Sequence, residues 1–135
     1  MSAAPTAQSW LDRPAGPPVW PRPPAVLPHN LLEAPPNGAR VAVAGLVLVR
    51  QRPGTAKGVI FITLEDEFGV SNVIVWRKIY EQYRRAVIAG RLLRVTGRIQ
   101  REGAVCHVVA ERIEDLSHML DSLLQHEPAR AADQP

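Results

Sequence analysis

The chain has 135 residues, 46% of them hydrophobic, and a formal charge of +3 at neutral pH. These residues have room for one compact domain plus tails. A single cysteine, Cys106, excludes an intrachain disulfide and argues against a cysteine-based metal site. Met1–Leu11 lacks the basic and apolar regions of a signal peptide, and no apolar run approaches the roughly 20 residues that cross a membrane, so a cytoplasmic location is expected.

Ten of the 13 prolines fall at or before Pro36, among them Pro17-Pro18, Pro23-Pro24 and Pro35-Pro36, with Trp10 and Trp20 set between. Proline fixes φ and removes the amide donor, so neither a helix nor a central strand is available there. Residues 1–38 are therefore expected to be a flexible or polyproline-II-like leader. A segment that offers its two tryptophans to a partner groove is the alternative. Residues 39–115 form the expected domain, and residues 116–135 a short amphipathic helix and polar tail. The positive charge is concentrated on the body: residues 40–115 carry 13 Lys/Arg against 8 Asp/Glu, whereas residues 116–135 are net negative. A polyanion would dock on such a body.

The first strand is predicted over Arg40–Arg50, apolar on both parities, with Gly45 where a bend costs least. A cationic turn follows, carrying Arg50, Arg52 and Lys57 around Pro53-Gly54. The second strand is Val59–Glu65; alternation places Ile60, Ile62 and Leu64 in the core and Phe61 on the open face. Glu65–Gly69 makes a hairpin into Val70–Trp76, with Ser71, Val73 and Val75 inward and Asn72, Ile74 and Trp76 outward. One helix is expected over Arg77–Ala89, carrying Ile79, Tyr83, Ala86 and Val87 at helical spacing and stopped by Gly90. The fourth strand, Arg91–Gln100, alternates Leu93, Val95, Gly97 and Ile99 inward with Arg94, Thr96 and Arg98 outward. A turn at Arg101-Glu102-Gly103 leads to a fifth strand, Ala104–Ile113. Leu116, Met119, Leu120, Leu123 and Leu124 then mark the final helix. The order is that of an all-β, five-stranded OB-fold barrel with one helix between strands three and four, a fold that often binds oligonucleotides.

The candidate nucleic-acid-binding residues are Arg50, Arg52, Lys57, Phe61, Asn72, Trp76, Arg94, Arg98 and Arg101. An outward Phe61 gives a base a surface to stack on. The loop cations Arg50, Arg52, Lys57 and Arg101 would neutralise phosphates, with Arg94 and Arg98 extending the groove. Asn72 either reads a base edge or satisfies a neighbouring strand, and Trp76 either stacks or closes the core. Arg84, Arg85 and Arg91 are expected to complement the dipole at the helix end. Glu65, Asp66 and Glu67 alternate direction and cannot converge on one ion; Asp66 is expected to cap the hairpin turn. Cys106-His107 lacks the spacing of a zinc site. No catalytic constellation, cofactor site or small-molecule site is read from the residues.

Val43–Leu120 resembles the C-terminal OB-fold segment of bacterial C-family DNA polymerases of the error-prone, translesion type. The resemblance rests on Val43-Ala44-Gly45-Leu46-Val47-Leu48-Val49-Arg50-Gln51-Arg52-Pro53-Gly54-Thr55-Ala56-Lys57-Gly58 and Phe61-Ile62-Thr63-Leu64-Glu65-Asp66-Glu67. Val73-Ile74-Val75-Trp76, Gly97-Arg98-Ile99-Gln100-Arg101-Glu102-Gly103 and His107-Val108-Val109-Ala110 continue it. It implies a barrel that binds single-stranded DNA in damage-induced translesion synthesis, with other polymerase subunits as further partners. The family's phosphoesterase-like and palm domains have no counterpart in these residues. The resemblance therefore implies a detached piece of such a polymerase or a small protein that kept only the barrel, and carries no polymerase activity onto them. Phe61-x-x-Leu64-x-Asp66-x-x-Gly69-x-x-Asn72 is similar to the anticodon-binding OB domain of aspartyl-type aminoacyl-tRNA synthetases, which leaves RNA open as a ligand. A protein-docking module, through the barrel face or the Leu116–Leu124 helix, and a polymerase subunit completed in trans are the rival readings.

Overall fold

The structure is a computed structural model that describes residues 19–52 and 58–120. Five strands, β1 (Arg40–Gln51), β2 (Ile60–Asp66), β3 (Gly69–Val75), β4 (Leu92–Glu102) and β5 (Val105–Asp115), close a barrel in the order β1-β2-β3-β5-β4. All neighbours are antiparallel except β3 and β5, which run parallel. The alternation of the sequence sets the core. Ile60, Ile62 and Leu64 of β2, Ser71, Val73 and Val75 of β3, and Leu93, Val95 and Ile99 of β4 are all buried, as their parity predicts.

Closure of the barrel depends on close backbone approaches. A Cβ on Gly45 would lie 2.5 Å from the Glu65 carbonyl oxygen, so only glycine lets β1 cross β2 there. Gly97 meets the Val109 carbonyl in the same way. It stands at the register shift between Thr96 and Gly97, where Thr96 faces Arg112 but Gly97 faces Ala110. A second shift lies in β1 between Val47 and Val49. Around it β1 stays apolar on both parities but is no longer buried: Leu46, Leu48 and Val49 are exposed, while Val41, Ala42 and Val43 are fully buried.

The expected single helix is two, α1 (Arg77–Gln82) and α2 (Arg84–Ala89). Tyr83 separates them with φ −119° and ψ 33°, outside the helical region. The turn lets Ile79, Tyr80, Tyr83 and Ala86 pack against the core while Val87 is buried in it. Arg84 and Arg85 consequently sit in the first turn of α2, not at the helix end, where a cation is disfavoured by the dipole. At the chain's end, Asp115 Oδ1 accepts from the Ser117 N–H at 2.9 Å and a helical turn runs from residue 117 to 120. Leu123 and Leu124 lie outside the described residues.

Residues 19–38, expected within the leader, pack on the barrel; residues 1–18 lie outside the description. Leu27 and Leu32 are buried in the core, and the Leu27 N–H donates to the Ala42 carbonyl at 2.8 Å. Thr96, predicted outward, is buried together with its register partner Ala42, which is where this segment crosses the barrel. Ile74 is also outward yet buried, set between Phe61 and Val109. Buried His29 fixes the segment to the β2–β3 hairpin. Its Nδ1 donates to the Gly69 carbonyl and its Nε2 accepts from the Ser71 hydroxyl, both at 3.1 Å. Asp66 joins this network: Oδ2 accepts from the His29 backbone N–H and Oδ1 from the Phe68 N–H at 2.7 Å, which is the expected hairpin cap.

Candidate nucleic-acid interface

Register aligns two rows of outward side chains across the strands. One row is Thr63, Asn72, His107 and Gln100; the other is Phe61, Ile74, Val109 and Arg98, with Gln51 of β1 facing Phe61. Neighbouring strands lie about 4.8 Å apart, so each row of four spans about 14 Å. Phe61 is half-buried, its ring 6.5 Å from that of His107 and inclined at 55°. One face of the pair is thus packed and the rest is open to a planar ligand. Asn72 is exposed, its Oδ1 facing the Thr63 hydroxyl at 3.4 Å, which leaves its amide N–H groups for a ligand.

His107 was read from the sequence only as a failed zinc ligand. Its Nδ1 is buried and has no hydrogen-bond partner among the described residues. Buried polar atoms are rarely left unpaired, which sets this residue apart from the satisfied His29. Alternation with Cys106, Val108 and Ala110, which face the core, is the sequence signal that marks His107 as outward; the pairing of β3 with β5 brings it to Asn72.

The predicted cations divide into two groups. Arg50 Nε donates to the Val87 carbonyl at 2.6 Å and its NH2 to the Gly90 carbonyl, so Arg50 caps the C-terminal end of α2. Arg94 makes two hydrogen bonds to Glu114, at 2.9 and 2.7 Å. That contact raises the Arg94 pKa and lowers that of Glu114. Arg98 pairs with Glu111 at 3.1 Å, and the same carboxylate meets Arg40 at 3.3 Å. Arg101 donates to the Leu32 carbonyl at 2.8 Å and ties the leading segment to β4. Arg52 is exposed at the barrel mouth, where its guanidinium carbon lies 5.1 Å from the Tyr80 ring centroid. Lys57 lies outside the described residues. Trp76 precedes α1 and is 46% exposed, so it stands at the rim and not in the core.

Ser71, His29 and Asp66 share side-chain types with a nucleophilic triad, but Ser71 is 2% exposed and faces into the barrel. The Gly69 carbonyl, at 3.1 Å, is the nearer acceptor at His29 Nδ1, with the Asp66 carboxylate at 3.5 Å. Burial raises the Cys106 pKa, which disfavours the thiolate. No group of three or more His, Cys, Asp or Glu suited to a metal ion occurs among the described residues. No helix among them is long and apolar enough to cross a membrane.

Residues 41–116 match the model of a family described as OB-fold nucleic acid binding domain, the anticodon-binding type. The chain belongs to this family. Within it, the barrel is homologous to a segment of error-prone DNA polymerases. The chain is 65% identical over 100 residues to the error-prone DNA polymerase of Ruegeria pomeroyi, and 54% identical over 107 residues to that of Caulobacter vibrioides. Those matches cover 74% and 79% of this chain but 9% and 10% of the relatives, so the chain spans about a tenth of the length of the curated relatives it matches. Among solved structures, asparaginyl-tRNA synthetase from Pyrococcus horikoshii superposes with a TM-score of 0.51 at 24% identity, covering 59% of this chain and 20% of that one. The S. pombe Stn1–Ten1 complex superposes with a TM-score of 0.51 at 16% identity, over 70% of this chain and 71% of the other. These two likenesses establish the OB fold of the barrel and nothing more.

Proposed function

We propose that this OB-fold domain binds single-stranded DNA across β2, β3 and β5, as a cytoplasmic accessory part of an error-prone polymerase engaged in damage-induced translesion synthesis. The observation that carries the reading is the half-exposed Phe61, in the row next to Asn72 and His107 on the same sheet face. Phe61 stacks on one base, and the Asn72 amide donates to a base edge beside it. The homology to error-prone polymerase segments favours DNA over RNA, and the net positive body favours a polyanion. Arg52 supplies a phosphate contact beside Tyr80, and Lys57, five residues further along the sequence, is a further candidate. Arg94, Arg98 and Arg101 have partners of their own and contribute only where a phosphate displaces them.

Fluorescence anisotropy with labelled oligothymidylate, titrated across salt, tests the reading. Micromolar or tighter binding that weakens steeply with salt is expected, with a log–log slope of about −0.7 per phosphate neutralised. Absence of binding at low salt would overturn it. Protein docking is then the surviving reading, and a specific feature favours it. Exposed Leu46, with Ala44, Gly45, Leu92 and Leu120, lines an open groove of about 900 Å³ edged by Glu65 and Glu67. A polymerase subunit bearing basic and apolar side chains would fit that groove, through contacts insensitive to nucleic acid.

A further inference from the structure

The linking helices carry a cationic and aromatic pocket that the sheet face does not include. Arg50, Gln51 and Arg52 of β1 and its following turn, Ile60 of β2, Tyr80 of α1, and Val87 and Ile88 of α2 enclose about 310 Å³. That is at the lower end of small-ligand sites. Two guanidiniums share the Tyr80 ring: Arg52 at 5.1 Å from its centroid and Arg84 at 5.3 Å. Both arginines are exposed, and neither has an ion-pair partner among the described residues. Nearby, Arg77 is paired with Glu81 at 3.2 Å, the one acid in the stretch from Arg77 to Arg85, which also carries Lys78.

Like charges gathered at one ring repel each other, and phosphates placed beside them relieve the repulsion. Guanidinium is the side chain best fitted to do this, because it stacks on an aromatic face while its edge binds phosphate. Two of the five N–H donors of Arg50 are held by the Val87 and Gly90 carbonyls, which turns its guanidinium toward the end of α2; it forms the wall of the pocket. Ile88, 56% exposed, adds an apolar surface. The pocket is continuous with the proposed DNA face, because Gln51 lines it and is the register partner of Phe61, and Ile60 precedes Phe61.

We infer that this pocket is a second contact for the same strand, in which Arg52 on its wall and Arg84 beside it at the Tyr80 ring each take a backbone phosphate, while Tyr80 and Ile88 support the adjoining sugar or base. The inference rests on the proposed binding of single-stranded DNA and extends the path from the sheet onto the helices. Arg84, which the sequence assigned to the helix dipole, becomes a phosphate-binding residue.

The test compares two oligothymidylates on the full chain: one of about six nucleotides, which the sheet face alone accommodates, and one roughly twice as long. Arg84→Ala is expected to leave the short oligonucleotide within about twofold of wild type. It should weaken the longer one about five- to tenfold and reduce the magnitude of its salt slope by about 0.7. Arg52→Ala with Arg84→Ala should reduce it by about 1.4. Circular dichroism confirms folding, and Arg84→Gln serves if the alanine variant melts early. The inference is overturned if Arg84→Ala weakens both lengths alike, or leaves the longer one's slope unchanged. If wild type binds the short oligonucleotide and Arg84→Ala changes nothing, this inference falls and the sheet-face reading stands. If wild type binds neither length, both fall.

Discussion

Arg50 separates two physical readings of the same residue. In sequence it belongs to a basic loop and is expected to grip a phosphate; in the fold it caps α2 through the Val87 and Gly90 carbonyls. Hydrogen bonds from a charged donor contribute about 1.5–3 kcal/mol. A cation at a helix C-terminus adds about 0.3–1 kcal/mol at an exposed site. Arg50 is exposed along part of its length, so solvent competes for the guanidinium and the lower part of the range applies. Arg50→Ala should therefore cost about 1–2 kcal/mol of stability, because the carbonyls at the end of α2 lose a partner that water replaces incompletely. For a domain of this size that is a fall of roughly 4–16 °C in Tm. Arg50→Lys, which keeps the charge but not the fork, should recover less than half of the loss. Thermal unfolding by circular dichroism reads the stability; anisotropy at several salt concentrations reads the phosphate contact. The reasoning predicts a lowered Tm with an unchanged salt slope. An unchanged Tm with a slope reduced in magnitude by about 0.7 would refute it and return Arg50 to the phosphate-binding set.

Phe61→Ala should weaken oligothymidylate binding by about 1–3 kcal/mol, roughly 5- to 150-fold, with only a modest loss of Tm because the ring is half-exposed. If the domain melts while affinity per folded molecule is unchanged, Phe61 is a packing residue. Leu27→Ala should destabilise by about 2–5 kcal/mol, since Leu27 is 1% exposed within the core. A chain beginning at residue 39 should be destabilised at least as much, and equal melting of the two lengths would restore the leader to a separate segment. Glu114→Gln probes pH dependence. The hydrogen bond from Arg94 lowers the Glu114 pKa in the folded state, so the carboxylate contributes stability above the usual glutamate range and loses it as pH falls through the folded value. Wild type should exceed the variant by about 0.5–1 kcal/mol at neutral pH, and the two should converge only once the pH has fallen below the usual glutamate range and through the lowered folded value. A difference that persists at lower pH would show that the pair is not its source.

Much of the barrel was legible because burial in a strand follows a period of two. Ile60, Ile62 and Leu64, then Ser71, Val73 and Val75, could be assigned without tertiary knowledge. Even the polar Ser71 follows the pattern, and its inward position makes sense once His29 supplies a partner for its hydroxyl. What the pattern could not reveal was contact between segments far apart in sequence. His29 reaches Ser71 over 42 residues and Arg101 reaches Leu32 over 69. Proline density made residues 19–38 look unstructured, yet proline forbids only regular hydrogen-bonded structure, not packing. The break at Tyr83 was equally hidden, since apolar spacing is continuous across Ile79, Tyr83 and Val87 whether one helix runs there or two.

The binding site was less legible than the fold because a cation in sequence has no stated partner. Seven of the nine candidates are not alike in chemistry: Arg50, Arg94, Arg98 and Arg101 satisfy carbonyls or carboxylates of the chain itself, while Arg52, Phe61 and Asn72 stand open. A phosphate approaching the first group must replace bonds already made, so the gain from neutralising its charge is reduced by their loss. One approaching Arg52 and Arg84 displaces only water. Net charge on the body therefore overstates the electrostatic drive toward a polyanion, and the slope of affinity with salt should count the open guanidiniums, not the total. Under the proposed function, the determinants of binding are then the Phe61 face and the Tyr80 pocket, with the paired arginines holding the barrel that presents them.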